Sequence, residues 1–501
     1  MKALGAAVAA GAAWMVVLRL LQRSLGLIST VVLARLLLPA DFGLIAMALS
    51  ISALVELVTT LGFDLALIRK QGADRDHFDS AWTLGLLFKS AAALAIVLFA
   101  HPVADFYGDP RLAAVMYGYA LIALASGFEN IGIVAFRKEL EFNREFRFQL
   151  AKKLLSVIVT VALALYFRSY WALVLGTLFS QLAGVALSYA MHPYRPRFCL
   201  KKWRDLLGFS SWVLFNNFAI YARERGVDFV TGRLLGAPAL GSYRVASEIA
   251  ALPTTELYMP IMRVVFPGFS KIVSEPERLR RAYLAAQGAV MTATLPASVG
   301  VVLLAEPLVL LLLGPNWSAA VPLVQILGAY GGIKTLHGNR HSLFMALGRP
   351  YWVGLMVTLE LAVMYPLLIY WLSTGHGIEM AAWAKVVAAL VTLPVGVRLV
   401  SRVLVMSLGD FLASVWRPVL ATAVMAVAVV AGTTMLPAAH GAWEALAVLL
   451  GLGAWGGGVY LGVLLLAWIA AGRPDGVEAR VLESALGRRL IPGWMLRRLN
   501  P

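Results

Sequence analysis

The chain has 501 residues, of which 60% are hydrophobic and 14% are charged, and its formal net charge is +16. A soluble protein of this length needs far more polar surface than this composition supplies. A run of about 20 mostly apolar residues is long enough to cross a bilayer as a helix. The composition therefore excludes an ordinary soluble protein and predicts an all-α chain that crosses the membrane many times.

The apolar runs predict about fourteen transmembrane helices. We expect two lobes of six helices around a central cavity, followed by two additional helices and a tail. The N-terminal lobe with its cytoplasmic linker would cover 1–207, the C-terminal lobe 208–408, the additional helices 409–472, and the basic cytoplasmic tail 473–501. The expected spans are 11–36, 43–64, 80–100, 111–136, 149–167, 170–190, 208–236, 240–268, 283–305, 317–347, 351–372, 376–402, 411–436 and 441–470.

Lys and Arg are distributed unevenly between the loops. About thirty lie in every second gap between the apolar runs, and about two lie in the remaining gaps. Because positive residues accumulate on the cytoplasmic side of membrane proteins, we expect both termini in the cytoplasm. The net charge is then a topology signal, and no nucleic-acid partner is expected, since no soluble domain carries basic residues interleaved with aromatic ones. The basic residues of the charged gaps include Arg137, Lys138, Arg144, Arg147, Lys152, Lys153, Arg195, Arg197, Lys201, Lys202, Arg204, Lys271, Arg278, Arg280 and Arg281.

Two windows of the sequence match each other. Residues 34–37 lead to Gly43 and residues 232–235 lead to Gly241, and in both windows Arg-Leu-Leu ends one predicted helix before a glycine near the start of the next. An offset of about 200 residues corresponds to six helices, which predicts two parallel repeats related by an axis along the membrane normal. In the two additional helices, glycines at close spacing predict tight helix packing. These glycines are Gly456, Gly457, Gly458 and Gly462.

Ionisable residues recur at helical spacing on the first, second, seventh, eighth and tenth predicted helices. Such residues are costly at membrane depth and usually face a cavity or a partner. We expect their polar faces to converge on a cavity between the lobes. Because Arg binds phosphate through paired donors and Lys binds it as a point charge, a positive cavity suits an anionic ligand such as phosphate. The predicted cavity bases are Arg19, Arg23, Arg223, Arg225, Arg244 and Lys334.

Carboxylates accompany these bases and allow two interpretations. They either pair with the bases to hold the helices together, or they take part in ion coupling. Lys89, on the third predicted helix, has no assigned role. The chain has a single cysteine, Cys199, and it shows no catalytic signature, so we expect no catalytic residue, no cofactor and no metal. The four candidate coupling residues are Glu56, Glu224, Asp228 and Glu248.

The run LARLLLPADFGLIAMALSI, followed by LGFDLALIRK, resembles the opening of bacterial oligosaccharide flippases. The stretches FRKELEFNREF and AEPLVLLLLGPNW are similar to the same family, so the resemblance covers roughly residues 10 to 435. These proteins form the polysaccharide-transporter branch of the multidrug/oligosaccharidyl-lipid/polysaccharide exporter superfamily.

The resemblance implies an alternating-access transporter of the bacterial cytoplasmic (inner) membrane. It would flip undecaprenyl-diphosphate-linked oligosaccharide repeat units to the periplasmic leaflet for exopolysaccharide, O-antigen or capsule synthesis. Its partners would be this lipid-linked oligosaccharide and membrane lipids, with a polysaccharide polymerase and a chain-length regulator as further candidates. Related lipid flippases use a cationic cavity, and the six bases take that role by placement only, because no family motif identifies them individually.

Two other functions remain open from the sequence. A drug or other small-molecule exporter of the same superfamily would share the helices, although a basic cavity would repel the cations that such proteins usually move. A membrane-embedded polysaccharide polymerase or ligase would need catalytic groups near a membrane face. The predicted outer loops are short and offer few such groups.

The charge distribution predicts the outcome of cysteine labelling. In a Cys199→Ser background, Arg144→Cys and Lys201→Cys should react with a membrane-impermeant maleimide only after the cells are permeabilised, because both loops are expected in the cytoplasm. Ser169→Cys, in a loop of the opposite class, should react in intact cells. Labelling of residue 144 from outside intact cells would overturn this topology.

Overall fold

The computed structural model describes residues 2–59, 63, 67, 68, 70, 72–139, 141–204, 211–436 and 441–473, and the part of the chain so described is helical without strands. The predicted basic tail lies outside this part except for Arg473. Contacts within the chain divide it into two units, Met1–Val245 and Ala246–Pro501. This division differs from the expected boundary after residue 207, and the lobe boundaries remain a prediction.

Among its described residues the first unit has eight α-helices, the last of which continues a few residues past the unit boundary. They are α1 (Lys2–Leu36), α2 (Pro39–Thr59), α3 (Arg75–Tyr107), α4 (Arg111–Gly127), α5 (Val134–Lys138), α6 (Phe142–Phe167), α7 (Trp171–Met191) and α8 (Ser211–Ala250). The buried core lies where α2, α3, α4 and α7 pack together, with Leu44, Ile96, Met116 and Val174 fully enclosed.

Nine further α-helices lie in the described part of the second unit. They are α9 (Met259–Lys271), α10 (Pro276–Leu303), α11 (Ala305–Leu312), α12 (Val321–His337), α13 (Arg340–Ala346), α14 (Pro350–Ser373), α15 (Glu379–Leu404), α16 (Leu408–Met435) and α17 (Ala442–Ala470). One core gathers Tyr283, Met291, Phe344 and Phe411. A second core joins α16 and α17 to the end of α10, so the two C-terminal helices belong to this unit.

Eleven helices in the described residues are long and apolar enough to cross a membrane, or twelve if α4 and the bent segment after it count as one span. With the bent segment counted as one span, they match twelve of the fourteen expected spans. The expected number of fourteen is not confirmed, because the predicted spans 208–236 and 240–268 do not pass this test. The charged side chains of α8, including Arg223, Arg225, Asp228 and Arg233, lower its mean hydropathy below that of its neighbours.

The long helix α8 folds back on itself. Gly236 has φ 78° and ψ −177°, which is not helical and which favours glycine. The chain before and after this residue forms two arms, a first arm (residues 211–235) and a second arm (residues 237–250). In a straight helix Asp228 and Arg244 would be about 24 Å apart, yet their side chains touch at 2.6 Å. The two arms therefore run back along each other.

Two glycines let α2 and the second arm of α8 touch through their backbones. A Cβ atom on Gly43 would overlap the carbonyl oxygen of Ala237, and one on Gly241 would overlap that of Pro39. Both equivalent pairs, 39 with 237 and 43 with 241, are 198 positions apart. Reciprocal contacts of this kind are made by elements that a two-fold axis relates. They support the predicted repeat, and superposition of the complete lobes remains a prediction.

Fewer glycines allow α16 and α17 to approach closely than the sequence indicates. A Cβ on Gly456 would lie 2.7 Å from Cγ2 of Val429, so this glycine does allow a close approach. The positions of Gly457, Gly458 and Gly462 face open space within the described residues. The predicted tight packing is therefore confirmed at the first of the four glycines and wrong at the other three.

The backbone contact at Gly43 and Gly241 predicts strong destabilisation by a single methyl group. Gly43→Ala or Gly241→Ala should lower the melting temperature by several degrees, because the added Cβ meets rigid backbone rather than a movable side chain. Melting of the detergent-purified protein, followed by size-exclusion chromatography, measures the effect. The control is Gly85→Ala, where a Cβ meets nothing within 4 Å. Equal melting temperatures of the three variants would contradict the close backbone contact.

Candidate functional site

The predicted site residues divide between the two units, so each group is described separately. The side chain of Glu224 lies outside the described residues. Glu248 and Lys334 belong to the second unit. The remaining predicted residues belong to the first unit, and they are Arg19, Arg23, Glu56, Arg223, Arg225, Asp228 and Arg244.

The structure brings three of these residues together on α8. Nη2 of Arg244 lies 2.6 Å from Oδ2 of Asp228, and Nη1 of Arg225 lies 3.9 Å from the same oxygen. Asp228 and Arg244 are each eight positions from Gly236, one on each arm. Residues at equal sequence distance from the turn of a helical hairpin lie opposite each other on its two arms. The break at Gly236 therefore places Asp228 opposite Arg244. We call these three residues the α8 cluster.

The α8 cluster combines a buried carboxylate with more exposed cations. The side chain of Asp228 is 1% exposed, that of Arg244 24% and that of Arg225 37%. A carboxylate at this depth is costly unless it is paired, which Arg244 achieves at short range. Arg225 then adds a positive charge that this carboxylate cannot also neutralise. The three side chains together carry a net charge of +1, and those of Arg225 and Arg244 are partly exposed.

Tyrosine and serine side chains tie the first arm of α8 to α2 and α3. The hydroxyl of Tyr221 donates a hydrogen bond to the carbonyl oxygen of Ser50. Oγ of Ser50 donates to the carbonyl oxygen of Met47 at 2.7 Å and lies 3.1 Å from the hydroxyl oxygen of Tyr107. Because Ser50 donates its hydroxyl proton to Met47, the hydroxyl of Tyr107 is the donor in its contact with Ser50. The sequence analysis missed Ser50 and Tyr107, which no periodic pattern marks.

An aromatic cluster reinforces this attachment near the end of α3. The rings of Phe106 and Phe229 stack with centroids 4.8 Å apart. The guanidinium carbon of Arg233 lies 5.4 Å from the centroid of the Phe106 ring, which is a cation–π contact. Phe106 and Tyr107 close the third apolar run, a position where aromatic residues mark the membrane interface. That position predicts that Phe106 and Tyr107 lie at the interface, but it does not predict their contact with Phe229.

Among the described contacts, Glu56 pairs with a base on a neighbouring helix. Its Oε1 lies 3.6 Å from Nζ of Lys89, the residue to which the sequence analysis assigned no role. The Glu56 side chain is 42% exposed and that of Lys89 is 24% exposed. For Glu56, the described contact therefore supports the interpretation as a helix-linking ion pair.

The remaining predicted residues have different degrees of burial. Arg19 is exposed, and Arg23 and Arg223 are half-buried. In the second unit Glu248 is half-buried, and exposed Lys334 lies 5.7 Å from the centroid of the Tyr330 ring. Among the described residues no group of three His, Cys, Asp or Glu side chains is arranged to hold a metal ion.

Comparison with known proteins adds three findings. The family model described as "Polysaccharide biosynthesis protein" matches residues 32–322. The chain is 26% identical to the lipopolysaccharide biosynthesis protein WzxC of Escherichia coli (strain K12) over 345 residues, covering 68% of this chain and 70% of that protein. It is 27% identical to the succinoglycan biosynthesis transport protein ExoT of Rhizobium meliloti (strain 1021) over 327 residues, covering 64% of this chain and 66% of that protein.

A solved structure shows the same fold. The lipid II flippase MurJ, in an inward closed conformation, matches with a TM-score of 0.69 and 15% identity, over 91% of this chain and 99% of that one. At this level of identity the likeness establishes the fold alone. The all-α, multi-pass architecture expected from the sequence is confirmed.

Removal of the Asp228 charge should destabilise the protein more than removal of the whole ion pair. Asp228→Asn leaves Arg244 without its carboxylate, which for a buried pair costs about 3 kcal/mol. The double variant Asp228→Asn/Arg244→Gln should recover part of that loss in thermal melting, since no unpaired charge remains. Asp105→Asn, at an exposed position on α3, is the control. Additive effects of the two single changes would show that Asp228 and Arg244 do not interact.

Proposed function

The chain belongs to the family of polysaccharide biosynthesis proteins, and we propose that it flips lipid-linked oligosaccharides across the bacterial cytoplasmic membrane. The proposed cargo is an undecaprenyl-diphosphate-linked oligosaccharide repeat unit for exopolysaccharide, O-antigen or capsule synthesis, moved from the cytoplasmic to the periplasmic leaflet. The observation that carries the proposal is the α8 cluster, a net positive site in a multi-pass protein whose relatives are named for polysaccharide biosynthesis and transport.

A diphosphate needs such a site because it cannot cross the bilayer bare. It would have to pass about 30 Å of hydrocarbon without its hydration shell. Guanidinium groups replace the lost water with short, charge-assisted hydrogen bonds. In the proposed mechanism Arg225 and Arg244 supply such donors to the phosphates. In the same proposal Arg19, Arg23 and Arg223, also of the first unit, attract the phosphates along the path of the cargo.

Asp228 gives this mechanism a resting state. Without cargo, its carboxylate neutralises Arg244 and keeps a cation stable at membrane depth. A diphosphate carries more negative charge than one carboxylate, so it competes for the same donors. Protonation of Asp228 would weaken its hold on Arg244 and favour cargo binding. We propose Asp228 as the residue that links a proton to the cargo, because it contacts Arg244 directly, whereas the described contact of Glu56 is with Lys89.

The proposed setting of the protein follows from this function. The chain would work as a transporter rather than as an enzyme, in the inner membrane with both termini in the cytoplasm. A polysaccharide polymerase and a chain-length regulator would act on the product after it crosses. A cationic drug is a poorer cargo, because Arg225, with only part of its charge compensated by Asp228, repels cations.

Flipping in proteoliposomes tests the proposal directly. The purified protein is reconstituted with a fluorescent undecaprenyl-diphosphate-linked sugar, and an impermeant reagent reports how much of it is accessible from outside. Arg244→Ala should lower the flipping rate at least tenfold, because the diphosphate loses a paired donor. Arg244→Lys should restore only part of the rate, since Lys keeps the charge and loses the fork geometry.

The matched control is Arg278→Ala, because Arg278 is an exposed base that pairs with Glu275 on the surface. It should flip at the wild-type rate. All variants are first compared by melting temperature and yield, so that a folding defect is not mistaken for lost transport. If Arg244→Ala and Arg225→Ala are folded and flip the lipid normally, the cationic mechanism is wrong.

A further inference from the structure

The segment after α7 crosses the start of α3 as a strap, which we define as residues 192–204 and which ends in a turn at residues 201–204. Its backbone N–H groups donate to side chains of α3. The N–H of Arg197 donates to Oδ1 of Asp79 at 2.9 Å, and that of Cys199 donates to Oγ1 of Thr83 at 3.0 Å. The strap is therefore held along the first turns of α3 by specific hydrogen bonds.

Asp79 anchors the strap from beneath. It is buried, and its Oδ1 also accepts a hydrogen bond of 2.7 Å from the hydroxyl of Tyr194. Burial raises the pKa of the Tyr194 phenol, and the neighbouring Asp79 carboxylate raises it further, so the hydroxyl keeps the proton that it donates. The Phe198 ring meets Trp82 edge to face, with centroids 5.3 Å apart. These contacts fix which side of the strap faces away from α3.

The length of α3 places the strap at the level of the lipid head groups. The helix has 33 residues, from Arg75 to Tyr107. At 1.5 Å per residue it is about 50 Å long, whereas the hydrocarbon core is about 30 Å thick. One end of α3 must therefore extend beyond the hydrocarbon, and we assign this to its first turn, which carries Arg75 and Asp76. The surrounding Lys and Arg residues assign this end to the cytoplasmic leaflet.

The outward side of the strap is both apolar and basic. Phe198 is 76% exposed, Leu200 46% and Trp203 42%. Residues 195–204 include five Lys or Arg and no Asp or Glu. Apolar side chains at such exposure are unfavourable in water but are typical of the membrane interface, where they enter the boundary between head groups and acyl chains.

The acidic residues beneath the strap do not cancel its charge. Asp76 pairs with Lys201 at 3.3 Å, and Nε of Arg75 lies 3.7 Å from Asp79. Counting the strap together with the start of α3, six bases face three carboxylates, which leaves a surplus of three positive charges. The six bases are Arg75, Arg195, Arg197, Lys201, Lys202 and Arg204, and the three carboxylates are those of Asp74, Asp76 and Asp79.

We propose that the strap is a docking surface for anionic phospholipid head groups of the cytoplasmic leaflet. Phe198, Leu200 and Trp203 enter the interface, while the basic side chains concentrate lipids of negative charge around them. Lipid binding at the strap would hold the start of α3 at a fixed depth in the bilayer. The proposal concerns lipids that surround the protein and is independent of the cargo that it moves.

Site-specific quenching tests this surface on the full-length protein. A bimane fluorophore is attached at Phe198→Cys in a Cys199→Ser background, and the protein is placed in phosphatidylcholine nanodiscs. Two quenching lipids are compared at equal mole fraction, both with a nitroxide high on the acyl chain, one with a phosphatidylglycerol and one with a phosphatidylcholine head group. We expect the anionic lipid to quench at least threefold more, and the ratio to fall towards one in 0.5 M salt, because salt screens the attraction.

A charge variant separates lipid recognition from simple membrane contact. The strap variant Arg197→Gln/Lys202→Gln/Arg204→Gln should bring the quenching ratio near one. The matched variant Lys271→Gln/Arg278→Gln/Arg281→Gln removes three bases from another predicted cytoplasmic loop and should leave the ratio unchanged. Equal quenching by both lipids in the wild-type strap would overturn the proposal. So would an unquenched label in every nanodisc, since residue 198 would then face water or another protein.

Discussion

A charge inside a bilayer must be paired, and the structure meets this constraint at Asp228 by folding α8 into a hairpin. Gly236 supplies the turn, and the turn puts Asp228 opposite Arg244 at a side-chain distance of 2.6 Å. Without that pairing the first arm of α8 would bury a carboxylate away from its nearest cation. Phe229 and Tyr221, on the same arm, contact α3 and α2. The ion pair, these two contacts and the backbone contact at Gly43 together attach α8 to the rest of the first unit.

The equivalent positions in the first copy of the predicted repeat do not carry an ion pair. At an offset of 198 positions, Asp228 corresponds to Thr30 and Arg244 to Ala46. Neutral residues therefore stand at both places in α1 and α2. What both copies keep is the glycine, Gly43 or Gly241, that allows backbone contact. The glycines account for the shared architecture, and the charges distinguish the second copy, which favours a functional origin for the α8 cluster.

The sequence predicts the parts of this fold that are periodic. Apolar runs give twelve of the expected spans, because helix length and hydropathy are local properties. The two remaining spans cover α8 and extend into α9, and the closest ion pair of α8 joins residues sixteen positions apart, Asp228 and Arg244. Contacts between different helices cannot be predicted from the sequence of either helix alone. The pairs Glu56 with Lys89 and Ser50 with Tyr107 are of this kind. For the same reason the run of glycines in α17 does not reveal that Gly456 is the position that meets Val429.

The contribution of an arginine to ligand binding depends on how deeply its side chain is buried in this protein. Arg244 lies partly buried against a carboxylate, where removing either partner exposes the desolvation cost of the other. Arg197 and Arg204 lie exposed on the strap, where hydration makes a single charge inexpensive and its attraction to an ion weak. A buried guanidinium can therefore select one ligand through geometry, whereas exposed bases act only through their number and placement. The proposed cargo site and the proposed lipid surface follow from this difference. The first should be sensitive to the exchange of Arg for Lys, and the second should depend on total charge and on salt.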